Sequence, residues 1–216
     1  MTSERTTAPS RLGRQAAVVL ALYACLALAG CQISRTPTQP TSQGSTMSTS
    51  EFSTLDAAGV AAIRESRTAR LDMSSGRLEK AAVRVTEDSY GPEINTRDSG
   101  KIKLTIVAPS GEISGETDRI RLNTTEKRPD FSELTYFLTA DSPDEYFELI
   151  RDGVERYGID ADSAERWIAS AQREPERKSD FSITSGTSTG LDVNYDLRYD
   201  GTKDTQVIIV HVRPAA

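Results

Sequence analysis

The chain is poor in the residues that most often carry chemistry. It has two cysteines, Cys25 and Cys31, and one histidine, His211. Both cysteines fall within the first 31 positions, so residues 32–216 hold neither a disulfide nor a thiolate ligand for zinc. With one histidine, any Ser-His-Asp chemistry would depend on His211, and no Gly-x-Ser-x-Gly elbow accompanies it. His211 is therefore read as a packed or rim residue of a strand. Gly186-Thr187-Ser188-Thr189-Gly190 lacks the lysine and following helix of a phosphate cradle. Asp160-Ala161-Asp162-Ser163-Ala164-Glu165 begins like a calcium loop, yet it has no glycine at its sixth position and no glutamate at its twelfth. The carboxylates there are explained by the positive end of a helix. No catalytic residue, metal ligand set or cofactor site is read from the sequence.

Basic residues are also in deficit, 26 against 32 acidic. This balance argues against nucleic acid, whose affinity rests on Lys and Arg meeting phosphates. It also argues against electrostatic adhesion to anionic lipid headgroups.

What is present is concentrated at the N-terminus. Arg11 and Arg14 precede an apolar run from Ala16 that ends in Leu28-Ala29-Gly30-Cys31, with no charge between Gln15 and Cys31. The run is shorter than the ~20 residues a spanning helix needs, and its basic start and small-residue end are those of a cleavable export signal. Leu-Ala-Gly-Cys resembles the lipobox of bacterial lipoproteins at all four positions. The resemblance implies a diacylglycerol thioether on Cys31, cleavage before it and acylation of the new amino terminus. Two or more chains give stable anchoring because each buried methylene contributes about 0.8 kcal/mol. Loss of residues 1–30 removes three arginines and one glutamate, leaving 23 basic against 31 acidic residues.

Three regions follow from this reading: a signal peptide over 1–30, a lipidated cysteine and disordered tether over 31–53, and one domain over 54–216. The tether is nearly all polar or turn-forming residues and cannot bury enough apolar surface to offset its ordering entropy.

Within the domain, Thr54 to Arg70 reads as a helix. The second half of Leu78–Thr86 reads as a strand. Ile102, Leu104 and Ile106 alternate with polar residues, the period of a half-buried strand. A partner strand carries Ile113, Ile120 and Leu122, with a bulge or bend expected at Gly115. A third strand, Glu133 to Thr139, places Leu134, Tyr136 and Leu138 on one face. Ser142-Pro143-Asp144-Glu145 has the N-cap, first-turn proline and N3 glutamate of a helix start, and Gly158 supplies its stop. Asp160 caps a second helix that ends before Pro175. Leu191 to Tyr199 alternates strictly, and Thr205 to Val212 is apolar on both sides, so it is expected at the sheet centre with both faces covered. These elements indicate an α+β domain: a mostly antiparallel sheet with a helix pair on one face, preceded by an N-terminal helix. Tyr136, Tyr146, Phe147, Tyr157 and Trp167 are expected as helix-on-sheet core rather than as a ligand groove.

The functional expectation is a cell-membrane protein, lipid-anchored through Cys31 on the extracytoplasmic face. Its monomeric domain binds or scaffolds a cell-envelope protein or ligand without catalysis. Two alternatives stand beside it: a small-ligand or lipid carrier, and a carboxylate-based envelope hydrolase.

Overall fold

Short polar signals set the ends of the helices, and alternating apolar residues set the strands between them. The computed structural model describes residues 51–216; the signal, Cys31 and the tether up to residue 50 lie outside the described residues. In chain order the elements are α1 (Ala57–Ser66), β1 (Thr68–Asp72), β2 (Leu78–Glu79), β3 (Glu93–Asn95), β4 (Ile102–Ala108), β5 (Gly111–Thr117), β6 (Arg119–Asn123), β7 (Asp130–Phe131), β8 (Glu133–Ala140), α2 (Pro143–Tyr157), α3 (Ala161–Arg173), β9 (Lys178–Gly186), β10 (Leu191–Asp200) and β11 (Gln206–Pro214). The class is α+β, with three helices among the described residues and mostly antiparallel sheets.

Six strands form the main sheet in the order β3-β6-β8-β11-β10-β9, every neighbouring pair antiparallel. A smaller sheet, β1-β4-β5, has one parallel pair, β1 with β4. β2 and β7 form a two-residue ladder.

The long helices begin as their sequences dictate. The Ser142 hydroxyl accepts the Glu145 amide at 3.2 Å, and the Glu145 carboxylate accepts the Asp141 amide at 2.8 Å. Gly158, at φ 71°, ends α2 in the left-handed conformation that glycine adopts without strain. Asp160 caps α3 by accepting the Ser163 amide at 2.7 Å. One aromatic cluster joins the helices to the sheet: Tyr146, Phe147 and Trp167 gather around Tyr199 of β10, with ring centroids 5.5–6.3 Å from it. All five expected core aromatics are buried.

Several sequence expectations are corrected. The first helix stops at Ser66 because Arg67 takes a left-handed conformation (φ 56°), and Ala69 and Leu71 then alternate inward as β1. Glu51–Ser53, assigned to the tether, lie against β1: the Ser53 amide donates to the Arg70 carbonyl at 2.7 Å, and the Ser53 hydroxyl accepts the Arg70 amide at 3.0 Å. The strand expected over Val83–Thr86 is a run of turns, with Val85 donating back to Lys80 and Arg84 at φ 60°. The strand carrying Ile113, Ile120 and Leu122 is two strands in two sheets, divided at Asp118. Gly115 makes no bulge, since the β4–β5 register runs unbroken through Leu104 and Gly115. Its missing side chain instead lets β5 lie on β8, where a Cβ would come within 3.0 Å of Leu138 and 3.1 Å of Tyr136. β9 was not expected, because an edge strand with Ile183 and Gly186 as its only buried residues shows no apolar period. β11 is central as expected, but only one of its faces is covered. Ile208, Val210 and Val212 are buried, whereas Val207, Ile209 and His211 are half-buried on the face away from the helices.

Candidate functional site

The face of the main sheet opposite the Tyr146–Trp167–Tyr199 cluster is largely polar, and strand register assembles it. Glu93, Arg121, Thr135, His211 and Asn194 stand side by side across β3, β6, β8, β11 and β10. In the next row Asn123 faces Glu133, and Arg213 faces Asp192.

Glu133 is the hub. Its Oε1 accepts the Thr135 hydroxyl at 2.9 Å and Asn123 Nδ2 at 3.2 Å, and its Oε2 accepts Arg213 Nε at 2.7 Å. Arg213 Nη1 reaches Asp192 at 3.5 Å, and Asp192 in turn accepts the Ser185 hydroxyl at 2.6 Å. One polar band thus ties five adjacent strands together.

His211 lies within this band. Nδ1 is 3.2 Å from Glu133 Oε1 and Nε2 is 3.5 Å from Asp196 Oδ2. Both ring nitrogens are closed to solvent, and neither contact has the alignment of a hydrogen bond. The imidazole beside Glu133, the Thr135 hydroxyl and Arg213 together hold that carboxyl down at about 2, against the opposing effect of burial. The imidazole is thus placed between two carboxylates, one on each neighbouring strand. That position suits a cross-strand tie rather than a base acting on a nucleophile.

Further along the same face, Phe137 lies under two guanidinium groups, Arg119 at 5.0 Å and Arg121 at 5.4 Å from the ring centroid. Glu93 accepts Arg121 Nε at 3.0 Å and lies 3.8 Å from Arg119. Ile209 is the register partner of Phe137, and Val207 is that of Thr139. The result is a broad face on which ion pairs and half-buried apolar side chains are interleaved.

Two surface clefts border the helices. One of about 250 Å³ lies between α2 and β5, with Tyr195 and Leu138 among its walls and Lys101, Asp152 and Arg156 among its charges. Another of about 530 Å³ lies between α3 and β9. Asp160, which opens the calcium-like stretch, is engaged as a helix cap. Among the described residues no group of three or more His, Cys, Asp or Glu side chains is arranged to hold a metal ion. No helix among them is long and apolar enough to cross a membrane. Cys31, the one site residue named from sequence, lies outside the described residues.

The alternation of Asp192, Asn194, Asp196 and Arg198 in the sequence marks one side of β10 as solvent-facing. Nothing in the sequence places Glu133 and Asp192 on the same arginine, because 59 positions separate them and only the β8-β11-β10 register brings them together. No protein-family model, no curated protein and no solved structure matches this chain.

Proposed function

We propose that this protein is a lipoprotein held on the extracytoplasmic face of a bacterial cell membrane by acyl chains on Cys31, and that its domain binds or scaffolds other components of the envelope without catalysing a reaction. The observation that carries the proposal is the Leu28-Ala29-Gly30-Cys31 sequence at the end of an arginine-led apolar run. In this reading a helix pair packed on one face of the sheet, with α1 ahead of it, leaves the opposite face free to meet a partner. That face offers charged groups, amides, hydroxyls and the Phe137–Ile209–Val207 strip, the mixture of polar rim and apolar contact that protein interfaces use.

A carrier would need an enclosed cavity between helices and sheet. Tyr136, Tyr146, Ile150, Tyr195 and Leu197 fill that space, each at most 1% exposed, which favours a binding surface over a carrier. The deciding experiment is mass spectrometry of the mature protein from a bacterial expression host. The expected result is an N-terminal peptide beginning at Cys31 and carrying a diacylglycerol thioether. An unmodified N-terminus at another position would overturn the anchor.

A further inference from the structure

One end of the main sheet is open. β9 runs for nine residues and, among the described residues, pairs only with β10. The opposite edge strand, β3, has three residues, the usual way of limiting an exposed edge. On the free side of β9 the Asp160 amide donates to the Thr184 carbonyl at 3.1 Å. From Lys178 to Ser182 the backbone groups turned away from β10 have no partner among the described residues.

The side chains beside this edge point to what would pair with it. Phe181 is the register partner of Leu197 and so lies on the same side of the sheet as Leu197, yet it remains 37% exposed beside a cleft between α3 and β9. The cleft of about 530 Å³ left there has Trp167 and Phe181 in its walls and Arg166 and Arg177 beside them. Neither arginine has a carboxylate partner among the described residues. Arg177 donates to the Ser170 and Ser179 hydroxyls at 2.6 and 3.4 Å, and Arg166 makes no bond within the described residues. Asp180, the one carboxylate on this cleft, is the register partner of Arg198 and lies 4.0 Å from its guanidinium.

We infer that this cleft is a peptide-binding groove in which an extended, acidic segment of a partner protein adds to the sheet as a further strand beside β9. Main-chain hydrogen bonds would hold the segment along Lys178–Ser182. One of its apolar side chains would cover Phe181, and a carboxylate would meet Arg166 and Arg177 as a charge-assisted pair. The inference goes beyond the anchor proposed above and depends only on the folded domain, so failure of acylation at Cys31 leaves it standing.

The test uses the full chain in detergent micelles and a fluorescein-labelled peptide of alternating valine and glutamate. Three control peptides accompany it: one with lysine for glutamate, one N-methylated at alternate residues, and free fluorescein. The glutamate peptide should bind at least about ten-fold more tightly than the lysine and N-methylated peptides, the scale of one charge-assisted hydrogen bond. Arg166→Gln removes a side chain that makes no hydrogen bond or ion pair among the described residues, and it should erase most of the preference for glutamate over lysine. Hydrogen exchange should show the amides of 178–182 slowed when the peptide is bound. Equal binding of the glutamate and lysine peptides, unchanged exchange at 178–182, or a β9-to-β9 dimer that excludes the peptide would each overturn the inference.

Discussion

The Tyr157 hydroxyl accepts the Ser114 amide at 3.2 Å and donates to the Ser114 carbonyl at 3.1 Å, so one side chain from α2 satisfies both backbone groups of one residue on β5. β5 is an edge of the small sheet, and the phenol takes the place of a neighbouring strand at that point. Burial pushes the phenol above its ordinary value, which keeps it neutral and able to play both parts. Tyr146 acts similarly in the main sheet, accepting the Arg198 amide and donating to the Val207 carbonyl, both at 3.1 Å, where those two residues face each other in register.

Tyr157→Phe should destabilise the domain by about 1–3 kcal/mol, the cost of leaving a buried donor and acceptor without their partner. Tyr146→Phe should cost a similar amount for the same reason. Urea denaturation of the purified proteins measures both. Unchanged midpoints would mean that water replaces the hydroxyls without loss.

Glu133 makes stability depend on acid in one direction. Its folded-state value of about 2 lies below the ordinary value near 4.5, so the unfolded chain binds more protons than the folded one between those pH values. The contribution is complete above about pH 5 and is lost as pH falls toward 2, with a size of about 2–3 kcal/mol once solvent screening of this partly exposed group is allowed for. Glu133→Gln should be less stable than the parent at pH 7, and the gap should close as pH falls toward 2. Thermal unfolding from pH 7 to pH 2 reads this directly, and a gap that is constant with pH would contradict it.

The two sides of β11 should respond differently to truncation. Ile208→Ala empties a fully covered site and should cost about 2–5 kcal/mol. Ile209→Ala, on the half-buried side, should cost about 1 kcal/mol. Chemical denaturation of the pair checks the ordering. Equal losses would show that the polar face is covered in solution.

Cys31→Ala should leave a protein that is unprocessed or shed into the medium, whereas Cys25→Ala should leave the mature form unchanged, because Cys25 is removed with the signal. Cell fractionation and intact-mass measurement of both variants decide this. Membrane retention of Cys31→Ala with signal cleavage would place the anchor elsewhere.

A panel of ester, peptide, phosphate and glycan substrates should give no turnover with the purified protein. Activity that His211→Ala abolishes while folding is intact would instead identify the His211–Glu133 pair as catalytic.

The parts of this protein that depend on neighbours in the chain were legible from the sequence by itself. Caps such as Ser142, Asp160 and Gly158 act within one helical turn, and the alternation of β4, β8 and β10 shows within a few residues, so α2, α3 and those strands lie where their residues place them. Pairing between distant segments was decided by tertiary structure. Ala69 was read as the end of a helix and lies in a strand, because parallel pairing with β4 buries it together with Leu71. β9 carries almost no apolar signal and exists because β10 offered it an edge. The polar face followed the same rule. Strand register sets which side chains stand opposite one another, and it fixed His211 between Glu133 and Asp196, a relationship that no local pattern in the sequence contains.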